Sequence, residues 1–111
     1  MAENYKSVGD NITTSLSDLI TVPVGSTLIV ALLQVANVNQ YAYGSADVTV
    51  MWYQASSGKS MAIASGLSIP SKTSISLLEG KLVLLAGDKI RIQSSVSSTL
   101  DIIMSYLEVT A

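Results

Sequence analysis

Leu82-Val-Leu-Leu-Ala-Gly-Asp-Lys-Ile-Arg-Ile-Gln-Ser-Ser95 sets two runs of strand-forming residues on either side of Ala-Gly-Asp. Lys89-Ile-Arg-Ile-Gln93 alternates with a period of two, which sends Ile90 and Ile92 to one face and Lys89 and Arg91 to the other. Between the runs, Gly87 takes a positive φ at little cost and Asp88 offers a carboxylate to nearby backbone donors. The reading is a hairpin, with Lys81–Leu85 and Lys89–Ser94 as its arms and Gly87 and Asp88 as turn architecture. Its register matters, because a slip by one residue would move the two isoleucines into water and the two cations into the core.

The same period extends outward from this segment. Asp47–Tyr53 places Val48, Val50 and Trp52 together, and Leu100–Val109 is rich in β-formers with its charges held to the ends. Ser17–Val22, Met61–Ile69 and Ser71–Leu78 add further strands, separated by Pro23, Gly25, Ser56-Ser-Gly58, Pro70 and Glu79-Gly80. No segment reads as a helix. Short strands with this punctuation predict an all-β fold: a single antiparallel β-sandwich spanning residues 1–111, with 1–16 an N-terminal arm or edge strand.

Composition then limits the chemistry. A chain of 111 residues buries roughly 65% of the surface its unfolded form exposes, enough for one core without staples. The absence of cysteine excludes disulfides and thiolate metal sites, and the absence of histidine removes the commonest catalytic base and zinc ligand. A net charge of −2 argues against a nucleic-acid partner, which requires clustered Lys and Arg. Only 13% of residues are charged, against about 25% in an ordinary soluble domain, while 49% are hydrophobic. Some of the surface is therefore expected to face other protein.

Leu19–Ala46 carries no charge, yet it is not a membrane span. Pro23, Gly25, Gln34, Asn37, Asn39 and Gln40 interrupt it, and Leu28–Leu33 falls far short of the roughly 20 residues a bilayer needs. The opening Met-Ala-Glu-Asn-Tyr-Lys has no apolar run behind a basic end, so synthesis in the cytoplasm is expected. Within the uncharged stretch, Thr27–Val35 is apolar on both faces, with Leu28, Val30 and Leu32 on one and Ile29, Ala31, Leu33 and Val35 on the other. A strand apolar on both faces must be covered twice. The second cover is either a long loop of the same chain or another copy of it, which makes Ile29, Ala31, Leu33 and Val35 candidates for an oligomer interface.

Catalytic motifs fall short. Gly58-Lys59-Ser60 copies the end of a phosphate-binding loop, but Tyr53 stands where that loop needs glycine, and strand-like sequence follows. Ser56 and Lys59 match Ser-x-x-Lys without any companion motif, so they read as a polar hairpin tip. The acids are scattered, with no calcium-loop spacing and no pair placed for glycoside hydrolysis. No enzyme activity, cofactor or metal is expected. The loop Asn37–Ser45 sets Tyr41 and Tyr43 among small polar residues, suiting either a contact surface or a fold back over the sandwich edge.

The order Leu19-Ile-Thr-Val-Pro-Val-Gly-Ser-Thr-Leu-Ile-Val, Val35-Ala-Asn-Val-Asn, Leu67-Ser-Ile-Pro, Glu79-Gly-Lys-Leu-Val-Leu-Leu-Ala-Gly-Asp-Lys-Ile-Arg-Ile and Ser105-Tyr-Leu-Glu-Val resembles small virion proteins of tailed bacteriophages. The likeness covers nearly the whole chain from Tyr5. The segment from the leucine-rich strand through Ala-Gly-Asp to the C-terminal strand is also similar to the last part of trimeric jelly rolls of the tumour-necrosis-factor type. These resemblances imply a jelly-roll-like homotrimer without enzymatic activity. They imply a place in the virion, against the major capsid protein as a decoration (cement) protein or on the neck, tail or fibres. A jelly-roll carbohydrate-binding module for host recognition is the alternative from another class.

Overall fold

The structure is a computed structural model that describes residues 2–38, 45–96 and 99–110. Its strands are β1 (Ala2–Asn11), β2 (Ser17–Thr21), β3 (Ser26–Asn37), β4 (Ala46–Gln54), β5 (Lys59–Ile69), β6 (Ser74–Ser76), β7 (Leu82–Leu84), β8 (Lys89–Ser94) and β9 (Leu100–Thr110). No helix occurs among the described residues. The strands form two antiparallel sheets. One has the order β1-β9-β3-β6, with β7 also on β3, and the other the order β2-β8-β4-β5.

Because β6 and β7 pair with different stretches of β3, Gln34–Ala36 and Leu28–Val30, they share one strand position in the sheet. The chain then changes sheets at nearly every connection, and among the described residues only β4 and β5 are joined as a hairpin within one sheet. This winding is that of a jelly-roll sandwich. The inward residues of both sheets meet in a single core in which Leu28, Val30, Leu33, Val48, Ile90, Ile92, Ile102 and Met104 are all fully buried.

The predicted hairpin at Ala-Gly-Asp does not form. β7 pairs with β3 in one sheet, while β8 pairs with β2 and β4 in the other, so the turn rounds a corner of the sandwich. Turn geometry gives the reason. Asp88 N–H donates to Leu85 O at 2.9 Å, and Gly87 sits at the third position with φ +87°. Ala86 is not among the residues with positive φ, so the turn is of type II. Tight hairpins need positive φ at the first central residue, where the twist matches that of the strands. The inward placement of Ile90 and Ile92 is as expected, held by β2 and β4 rather than by a β7 partner.

A second correction concerns β3. Its pairing with β9 shifts between Val30 and Leu32, leaving Ala31 as the extra residue of a β-bulge. Leu28 and Val30 point inward before the bulge, and Leu33 and Val35 after it. A regular strand in phase with Leu28 would have buried Gln34 and turned Val35 out; the added residue prevents this.

Candidate assembly surface

The outer face of the five-stranded sheet is built in cross-strand rows. Tyr5 lies beside Leu107, Leu107 beside Ile29, and Ile29 beside Val83. The next row brings Ser7 beside Ser105, with Ala31 and Leu32 at the bulge; beyond it Gly9 lies beside Ile103, and Ile103 beside Gln34. Tyr5 is 88% exposed, Val83 48% and Ile103 49%. A shallow trough of about 400 Å³ runs over this face, its lining including Tyr5, Ser7, Ile29, Ala31, Lys81 and Leu107. Partly exposed apolar side chains gathered on one sheet face are the kind of surface that protein contacts use.

Below that face, on the core side of the same sheet, Lys6 Nζ lies 2.6 Å from Glu108 Oε1. Glu108 is only 8% exposed. The hydrogen bond from Lys6 is the main force holding its carboxyl below the ordinary value of 4.5; burial opposes it, and the Lys6 charge and the Ser26 hydroxyl add to the lowering. The same hydrogen bond, followed by the Glu108 charge, raises the Lys6 ammonium above 10.5. This ion pair fastens β1 to β9 near the chain termini.

At the corner, Asp88 is 2% exposed. Its Oδ2 accepts from Trp52 Nε1 at 3.1 Å and from Leu85 N at 3.0 Å, and its Oδ1 accepts from Ala55 N at 3.0 Å. One carboxylate thereby links the β7–β8 turn to the end of β4. Gly87 N–H reaches Val22 O at 3.0 Å, and Val22 N–H reaches Asp88 O at 2.9 Å. Nearby, Asp18 receives both Arg91 Nε at 3.1 Å and Lys89 Nζ at 3.4 Å.

The four candidate interface residues of β3 do not share a face. Ile29 and Ala31 belong to the outer trough, whereas Leu33 and Val35 are fully buried in the chain's own core. The bulge is the reason, and it leaves no sequence signature because the strand is apolar in either phase. Tyr5, Leu107 and Val83 extend the outer face, although sequence reasoning did not select them; the signal is their shared odd-numbered phase on three strands, visible only once the register is known. Tyr41 and Tyr43 lie outside the described residues. Ser56 and Gly58 sit in the β4–β5 turn, where Gly58 N–H bonds Gln54 O at 2.8 Å, and Lys59 begins a strand rather than a helix. Among the described residues no group of three or more acids is placed to hold a metal ion, and no helix is long and apolar enough to cross a membrane.

The topology defines the chain as a jelly-roll sandwich. No family model matches the sequence, and no curated protein sequence does. Solved structures do match in fold. One comes from the acid-stable capsid of Helicobacter pylori bacteriophage KHP30, with a TM-score of 0.57 and 11% identity over 100% of this chain and 95% of that one. Another comes from the pili known as Bacillus endospore appendages, with a TM-score of 0.58 and 8% identity over 98% of this chain and 87% of that one. A third comes from the T13 particle of infectious bursal disease virus (IBDV), with a TM-score of 0.57 and 12% identity; it covers 97% of this chain but 31% of the viral one. At these identities the likeness is one of fold.

Proposed function

We propose that this protein is a non-enzymatic structural component of a tailed-phage virion, a decoration protein that binds the capsid shell as a homotrimer. The observation that carries the reading is the apolar row Tyr5–Leu107–Ile29–Val83 across the outer face of the five-stranded sheet, on a chain that matches a phage-capsid chain almost end to end in fold. Such a face stays in water only at a cost, so it is finished by a copy of the same chain. Decoration requires no chemistry. A protein that binds the assembled shell better than its free subunits shifts the equilibrium toward the shell, and three linked sites turn a weak contact into a tight one. The test mixes purified protein with capsids that lack it. Co-sedimentation and a raised capsid melting temperature are the expected result; binding to isolated tails but not to capsids would reject it.

The likeness to a pilus subunit supports a second reading, a repeating subunit of a tail fibre or neck. Filaments of defined diameter from the purified chain, seen by negative-stain microscopy, would favour it.

A further inference from the structure

The sheet edges are unequal. β2 spans five residues and shifts register between Asp18 and Ile20; β5 shifts register twice against β4; and the position opposite β1 is split into β6 and β7, of three residues each. Short, bulged and broken edges resist unwanted pairing. β1 is neither short, bulged nor broken, and its only charged side chains are Glu3, Lys6 and Asp10. It runs for ten residues in unbroken register with β9, from Ala2 opposite Thr110 to Asn11 opposite Asp101, and its other edge is unpaired among the described residues.

We propose that this edge pairs antiparallel with β1 of a second copy, across a two-fold axis at Val8. An axis normal to the sheet keeps core-side residues on the core side, so directly opposed residues must share parity. Core-side positions carry Lys6, Val8 and Asp10, and Glu3 lies on the outer face. With the axis at Val8, each Lys6 faces Asp10 of the other copy, Val8 faces Val8, and pairing runs from Tyr5 to Asn11. An axis at Lys6, Asp10 or Glu3 instead sets like charges directly opposite, which is destabilising. Only the Val8 register brings opposite charges face to face, and it does so twice. It also joins the two five-stranded sheets into one continuous sheet, the mode by which exposed strands recruit a partner strand.

The contact does not depend on the capsid reading, and it leaves the outer face of the sheet free. The chain has no cysteine, so single cysteines report cleanly. Full-length Val8→Cys treated with a short bismaleimide is expected to give a covalent dimer on a denaturing gel several-fold faster than Asn4→Cys or Asn11→Cys. In sedimentation experiments Asp10→Lys, which sets two lysines opposite each other, weakens association about ten-fold, and Asp10→Asn weakens it less. Equal cross-linking of the three cysteines, or an Asp10→Lys chain that associates as the parent does, would overturn the proposal. Ile29→Asp, which alters the outer face alone, retains the Val8→Cys cross-link whether or not the protein binds capsids, so the two readings fail separately.

Discussion

Trp52 and Asp88 are joined across the sandwich corner by a 3.1 Å hydrogen bond from the indole N–H to the buried carboxylate, which also accepts the backbone N–H groups of Leu85 and Ala55. Asp88→Ala leaves all three donors without their acceptor, at a cost of about 3 kcal/mol in urea unfolding. Asp88→Asn is expected to lose nearly as much, because its amide NH₂ must point a donor at one of those donors. A near-normal midpoint for Asp88→Asn would show that water replaces the carboxylate.

Gly87 and Gly25 both have positive φ, +87° and +83°. A Cβ on Gly87 would lie 3.1 Å from the Ala55 Cβ, whereas one on Gly25 meets nothing within 4 Å. Gly25→Ala therefore carries only the left-handed penalty of about 1 kcal/mol, and Gly87→Ala about 1 kcal/mol more. Thermal melts of the two variants should rank in that order.

The Lys6–Glu108 pair makes stability depend on pH at both extremes. Glu108 titrates below its ordinary value when folded, so its contribution is complete above that value and is lost as pH falls through the lowered one. Lys6 titrates above its ordinary value when folded, so its contribution is complete below 10.5 and is lost as pH rises through the raised one. The difference in melting temperature between the parent and Glu108→Gln should be flat from about pH 5 to about pH 10 and shrink on either side. A difference unchanged at pH 3 would show that the pair contributes little.

Deleting Ala31 tests the bulge. Removing the extra residue restores simple alternation, with Leu28, Val30, Leu33 and Val35 all still inward. The deletion chain should fold with a cooperative melt. Deleting Gln34 instead puts Val35 out of phase and should leave mostly unfolded or aggregated protein. Circular dichroism of the two deletion chains distinguishes these outcomes.

Burial of the outer trough in the proposed homotrimer predicts that Ile29→Asp reduces the mass seen by light scattering while leaving the melting temperature within a few degrees. Ile29 belongs to the outer trough, outside the core cluster, so its loss leaves that packing intact. A large drop in melting temperature would mean the residue serves the fold instead.

The alternation of Ile90 and Ile92 against Lys89 and Arg91, and of Val48 and Val50 in β4, was legible in the amino-acid order because side-chain direction along a strand has a fixed period. The low charge led to the expectation of apolar surface, and Tyr5, Val83 and Ile103 are exposed on one face of a sheet. Partner strands were not legible: Lys81–Leu85 and Lys89–Ser94 look like hairpin arms, yet the type II turn sends them to opposite sheets. Nor was the phase of β3, where Leu33 and Val35 pass from a supposed outer face into the core. A strand apolar on both sides satisfies either phase locally. Only its pairing with β9, and the cost of burying Gln34, decides which face turns inward.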